Sequence, residues 1–222
     1  MTVTLDRPQS RNAFTPEMVV GLGDAIATAA SDPDCRCLVI TGAGDHFCTG
    51  RDLKATKADG PLPEVLERDG AWSEVIHRLH ASSKPSVAVV RGFAVAGGFT
   101  LSMGCDFVLA DRSARFGALE MANGFPAAVA TPILANLIGP RLALELAMMG
   151  QPVEASRLYE MGLINRLAED ADELAREAAA FTGRLAELDP SSIALTKELH
   201  RAAQNMPLAN SLDMGKQLNS LI

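Results

Sequence analysis

Through the first half of the chain, apolar runs of a few residues alternate with longer stretches whose apolar positions recur every three or four residues. Val3-Thr4-Leu5 reads as a strand that ends at Arg7-Pro8. Thr15-Pro16-Glu17 then offers an N-cap hydroxyl followed by proline in the first turn, the start signal of a helix. Met18, Leu22, Ala25, Ile26 and Ala29 follow at helical spacing, so that helix is expected to bury one face. Leu38-Val39-Ile40-Thr41, stopped by Gly42 and Gly44, reads as a buried strand. A polar stretch from Ala55 to Pro63 reads as a mobile loop, after which Val65, Leu66, Trp72, Val75, Ile76 and Leu79 predict a helix up to Ser82-Ser83. Lys84-Pro85 breaks it. Val87-Ala88-Val89-Val90 predicts the next strand, Gly97-Gly98 precede a helical pattern through Leu101, Met103 and Cys105, and Phe107-Val108-Leu109-Ala110 returns as strand.

Strands that are continuously apolar and alternate with helices imply an α/β unit whose mostly parallel sheet is covered on both faces. Beyond Thr131 the pattern is helical: Ile133, Leu134 and Leu137, then Leu142, Leu144 and Leu146, then an alanine-rich run from Glu173 to Leu188. Pro190 and Pro207 each open a further helix. The expected organisation is a core over residues 1–130 that carries the chemistry and a helical region over 131–222. No internal repeat or low-complexity segment is visible.

Composition narrows the function classes. With 222 residues, 48% of them hydrophobic, the chain can bury a substantial core within the range of one ordinary domain. No apolar run approaches the roughly 20 residues of a membrane span, and the stretch from Met1 to Asn12 has no apolar segment resembling a signal peptide. The expectation is a soluble, cytoplasmic protein with no membrane partner. A formal net charge of −7 argues against nucleic acid, whose phosphates call for a concentrated basic surface. Cys35, Cys37, Cys48 and Cys105 form no C-x-x-C pair and have no histidine cluster beside them, so they read as reduced, buried thiols and no metal is expected.

Glycine stands twice where a strand hands over to a helix or loop: in Phe47-Cys48-Thr49-Gly50-Arg51-Asp52-Leu53 after one strand, and in Gly92-Phe93-Ala94-Val95-Ala96-Gly97-Gly98 after another. A carbonyl oxygen that becomes negative during a reaction is stabilised by fixed N–H donors at a helix N-terminus, with no side chain in the way. Gly97 suits that role. Tight packing is the ordinary explanation of a Gly-Gly pair at a helix start, and both readings stay open on these residues alone.

The run Ile40-Thr41-Gly42-Ala43-Gly44 through Phe47 to Lys54, then Lys84-Pro85, Gly92, Gly97-Gly98, Cys105-Asp106, Phe116-Gly117, Glu120 and Gly162-Leu163-Ile164, resembles the enoyl-CoA hydratase/isomerase (crotonase) superfamily, in order and over about nine-tenths of the chain. The resemblance implies a spiral of ββα turns, a helical C-terminal trimerisation region, and assembly as a homotrimer or a dimer of trimers. It implies an acyl-CoA substrate, with coenzyme A as part of that substrate and no separate cofactor. It also implies that the backbone N–H groups of Arg51 and Gly97 hold the thioester oxygen, with Gly50, Asp52, Leu53, Gly98 and Phe125 around the substrate and Lys54 near the adenine and phosphates of CoA. Lys54 equally fits an ordinary surface lysine, and Asp52 and Asp106 look like caps of turns or helix ends. The family usually has alanine at the position of Arg51; the donor is backbone, and the side chain is open to pairing with a carboxylate, touching substrate or bridging structure, of which the last is favoured. Both ends of the chain read as short against the family pattern.

Hydratases of the superfamily use two glutamates on one water. Here the matching positions are Thr100 and Glu120, so one carboxylate of the pair is replaced. A threonine hydroxyl hydrogen-bonds but does not exchange a proton with carbon near neutral pH. Moving a double bond from the 3- to the 2-position needs a single base, and the similar single-glutamate isomerases keep theirs at the position of Glu120. Ala127 stands where hydratases often have a glycine. Glu120 among Leu119, Met121 and Phe125 is expected to have its carboxyl pKa raised by desolvation. The expectation leans to isomerisation, with hydration by Glu120 and Thr100, or a silent acyl-CoA-binding assembly protein, as the alternatives. His46, His77, His80 and His200 are scattered and read as surface groups.

Overall fold

The computed structural model describes residues 1–55 and 62–220, and the side chains of all of these except 62–68. In chain order the elements are β1 (Thr2–Leu5), α1 (Pro16–Ser31), β2 (Leu38–Gly42), α2 (Leu62–Ala81), β3 (Ser86–Val90), β4 (Phe93–Val95), α3 (Gly97–Gly104), β5 (Phe107–Asp111), β6 (Arg115–Gly117), α4 (Ala130–Leu137), α5 (Pro140–Met148), β7 (Val153–Glu154), α6 (Ala155–Glu160), β8 (Arg166–Ala168), α7 (Ala171–Glu187), α8 (Pro190–Ala203) and α9 (Leu208–Asn219). Helix α1 starts as its sequence dictates, with Thr15 accepting the Met18 N–H and Pro16 in the first turn.

β1, β2, β3, β5 and β8 form one parallel sheet in that order. A second, small sheet runs β4-β6-β7, with β4 and β6 parallel and β7 antiparallel. Consecutive strands β3-β4 and β5-β6 thus change sheet before their helices, giving two successive ββα turns of the expected spiral. The apolar strands are explained by cover on both faces. Leu38, Ile40, Ala88, Val90, Val108 and Ala110 face a main core with Phe47, Phe99 and Phe116, while Val87 and Leu109 face α7 through Leu174, Phe181 and Leu185. All four cysteines are buried free thiols.

The sequence pattern differs from the structure where elements are short. The strands β4, β6, β7 and β8 span two or three residues, too few to display a hydrophobic period, and none was expected. The region 131–222 is therefore not purely helical: β8 extends the main sheet beside β5. Most of the loop expected over 55–63 lies outside the described residues, and α2 begins at Leu62. Among the described residues no helix is long and apolar enough to cross a membrane, and no group of acidic, cysteine and histidine side chains is placed to hold a metal.

Helix α8 is fastened to the sheet by polar contacts. Lys197 Nζ donates to the Asp106 carboxylate and to the Lys84 carbonyl, and Asp106 also accepts from the N–H and hydroxyl of Ser86. Asp106 is thus a structural clasp.

Candidate active site

The site is built from two chain segments zipped together by one parallel bridge. Cys48 N donates to Phe93 O at 2.9 Å and Val95 N donates to Cys48 O at 3.0 Å, which aligns the Cys48 segment with β4. Gly50 turns the chain at φ +86°, and its N–H donates to the buried Cys48 Sγ at 3.3 Å. A second bridge follows: Phe14 N donates to Gly50 O at 2.7 Å and Asp52 N donates to Phe14 O at 2.9 Å. The backbone is held on both sides of Arg51, whose own N–H meets no acceptor among the described residues.

On the other segment the chain makes a sharp corner at Ala96, with φ 49° and ψ −122°, a conformation that costs a non-glycine residue on the order of 1–3 kcal/mol. The corner is fixed by the Ala96 N–H on Gly117 O at 2.8 Å and by Thr100 N on Ala96 O at 3.0 Å. It starts α3 with Gly97, whose N–H likewise meets no acceptor among the described residues. A β-carbon at Gly50 would lie 2.9 Å from Gly97 N and 2.8 Å from Ala96 Cβ, so the two donor segments touch. A β-carbon at Gly98 would lie 2.2 Å from Cys48 O. Gly50, Arg51, Gly97 and Gly98 are therefore brought together. Backbone donors with no internal partner, beside a helix N-terminus, are what a developing oxyanion requires.

Glu120 follows β6 at one remove. Val95 pairs with Gly117, and Glu120 lies three positions further along, where its carbonyl accepts the N–H groups of Asn123 and Phe125 and closes a 3₁₀ turn at Met121–Asn123. Its Oε2 is buried and has no hydrogen-bond partner among the described residues. Burial pushes the carboxyl pKa above the usual carboxylate value. Thr100 is buried in α3, and its hydroxyl donates back to Ala96 O at 3.3 Å.

The remaining sequence candidates sit differently. Asp52 is engaged by structure: it accepts the N–H groups of Lys54 and Ala55 and both Arg7 guanidinium nitrogens, and these hold its carboxyl below the usual range. Lys54, Leu53 and Phe125 are exposed. The Arg51 guanidinium is paired, its Nη2 standing 2.6 Å from Asp69 Oδ1 on α2. Three supports went unread in the sequence. Ala96 carries the corner; Phe14 lies 3.5 Å from the β-carbon position of Gly97 and packs on Trp72, with ring centroids 4.9 Å apart. Asn12, fully buried at φ 57°, donates to the carbonyls of Ala43 and His46 and accepts the Arg7 N–H. An asparagine between the Arg7-Pro8 turn and apolar Ala13-Phe14 is the signal that marked it, since asparagine tolerates the left-handed region and bonds locally.

Comparison with known proteins gives the family of the chain. The family model described as enoyl-CoA hydratase/isomerase matches residues 1–221. The chain is 32% identical over 225 residues to the 1,2-epoxyphenylacetyl-CoA isomerase of Escherichia coli K12, covering 100% of this chain and 86% of that protein. It is 30% identical over 218 residues to the crotonyl-CoA hydratase of Syntrophomonas wolfei, covering 97% and 82%. The crystal structure of an enoyl-CoA hydratase from Mycobacterium smegmatis superposes with a TM-score of 0.94 at 27% identity, covering 99% of this chain and 85% of that one. A putative enoyl-CoA hydratase of Thermus thermophilus is 36% identical over 222 residues, covering 99% of this chain and 87% of that protein, so relatives named as hydratase and as isomerase are both similar to it.

Proposed function

The chain belongs to the enoyl-CoA hydratase/isomerase family, and from that premise we propose that it is an acyl-CoA isomerase working with one glutamate. The thioester oxygen accepts hydrogen bonds from the N–H groups of Arg51 and Gly97. Glu120, as carboxylate, removes a proton from C2 of a 3-enoyl-CoA, and the electron pair moves through the conjugated system onto the thioester oxygen. The same carboxyl returns the proton to C4 and leaves the 2-enoyl isomer, so atoms and charge balance with no cofactor. Gly98 lets α3 close on the Cys48 carbonyl, Gly50 leaves the Gly97 N–H without a β-carbon against it, and Lys54 offers a cation to the anionic tail of CoA. We assign the self-partner as a homotrimer or a dimer of trimers, to which the exposed Leu208 and Leu212 of α9 would contribute apolar surface.

The observation that carries this reading is the contrast between Glu120 and Thr100. Glu120 has a buried oxygen with no partner and a raised pKa, as a base that returns its proton needs. At the second hydratase position the Thr100 hydroxyl is turned to the Ala96 carbonyl and cannot serve as a second carboxylate.

The test is NMR of the protein with a 3-enoyl-CoA, and separately a 2-enoyl-CoA, in deuterated water. Deuterium in the acyl chain together with double-bond migration is expected. Accumulation of 3-hydroxyacyl-CoA would instead make it a hydratase using Glu120 with Thr100, and binding without exchange or turnover would make it a silent acyl-CoA-binding protein.

A further inference from the structure

The side chain of Arg51 is not needed for its backbone donor, yet it is committed. Its guanidinium reaches Asp69 on α2, with 42% and 52% of the two side chains exposed. Asp69 stands three positions before Trp72, so both lie on one face of the helix. Trp72 packs on Phe14, and Phe14 packs on Gly97. The same helical face thus meets the oxyanion segment twice, once through an ion pair and once through an aromatic pair.

The described turns of α2 on either side of Trp72 are held differently. From Val75 onward the helix is anchored by buried Val75 and Leu79 and by Arg78, which donates to Gly23 O at 3.0 Å and to Glu74. Before Trp72, Gly70 and Ala71 are exposed, and the Arg51–Asp69 pair is the tether to the oxyanion segment among the described residues. A half-exposed ion pair is weak and screened by salt, so added salt should loosen it.

We propose that Arg51 is a positioning residue as well as a backbone donor: its guanidinium, paired with Asp69, latches the Asp69–Trp72 turn of α2 against the oxyanion segment and holds Phe14 and Trp72 as a fixed wall beside the hole. The role of the wall in binding acyl-CoA rests on the function proposed above; the latch itself does not.

Trp72 is the single tryptophan of the chain, so its fluorescence reports the latch without any ligand. Acrylamide quenching of Trp72 is expected to rise when salt goes from about 0.05 to about 0.5 M, a range in which the Debye length shrinks severalfold. Arg51→Ala should show the high-salt quenching already at low salt and respond less to added salt, and Arg51→Lys should restore the salt response. Binding of butyryl-CoA, which cannot react at a double bond, should weaken by up to about fivefold in Arg51→Ala, the ceiling of one exposed ion pair, and for a turned-over substrate the loss should fall on KM more than on kcat. Identical quenching in wild type and Arg51→Ala at every salt concentration, with both folded by circular dichroism, would overturn the latch. A salt-dependent Trp72 signal without butyryl-CoA binding would leave the latch standing and remove the acyl-CoA reading instead.

Discussion

Glu120 is a carboxyl whose burial costs the fold and which the proposed chemistry would use. Because burial raises its folded pKa above the ordinary 4.5, the folded state favours the protonated form. Its contribution to stability is full below the ordinary value and is lost as pH rises through the raised folded value. Glu120→Gln should therefore raise the thermal midpoint at about pH 8, with the gain vanishing by about pH 4, as calorimetry across that range will show. The same substitution should cut isomerase turnover about a hundredfold or more, and unchanged turnover would remove Glu120 from the mechanism. In the wild type the acid limb of kcat/KM should lie above 4.5, because the working base is the carboxylate. Ala96 makes a parallel case: Ala96→Gly relieves a backbone corner and should raise the midpoint by about 2–4 °C while lowering kcat/KM through a looser Gly97. Of these residues, Glu120 was expected to have a raised pKa, and burial does raise it, but not through the neighbours its flanking pattern named: Met121 and Phe125 are exposed. Ala96 was not, because an alanine before two glycines gives no sign of a positive φ, and the Arg51–Asp69 pair was not, because sequence does not state which face of α2 turns inward.

Among the elements, α3 depends most on close backbone approach. Gly98→Ala would drive a β-carbon to 2.2 Å from the Cys48 carbonyl, so the helix or the Cys48 segment must retreat. A loss of about 3 kcal/mol, measured by denaturant unfolding, and failure to bind butyryl-CoA are expected together. The strands β2, β3 and β5 were readable because two packed faces demand unbroken apolar runs, visible in Leu38-Val39-Ile40 and Val87-Ala88-Val89-Val90. β4, which carries the approach to Ala96, was read only as a turn and a glycine handover, since Phe93-Ala94-Val95 owes its extended form to pairing with β6 and Cys48 rather than to its own pattern. Helices α7, α8 and α9 announced themselves by an alanine-rich run, Pro190 and Pro207 in turn, signals that survive without tertiary context.

At the scale of the molecule, α8 and α9 bury no apolar side chain fully among the described residues, and α8 is joined to the rest by the Lys197–Asp106 clasp and by Arg201, which donates to the His80 and Ser82 carbonyls. Lys197→Met should speed amide hydrogen exchange over residues 190–219 with little change in the strands β2, β3 and β5; equal acceleration everywhere would show that the clasp holds the whole fold and not one end of it. The active-site core asks for a different kind of integrity. Its two donors come from segments separated by α2 and β3, and no contiguous piece as short as either segment holds both. The Cys48–Ala94 bridge that joins them closes a long loop, and the entropy of that closure is recovered only once the β2–β3 ladder and the helix between them are in place. If Arg51 and Gly97 are the donors proposed above, the site they form is expected to assemble late: in refolding followed by stopped flow, butyryl-CoA binding should return after the helix and sheet signals rather than in proportion to them.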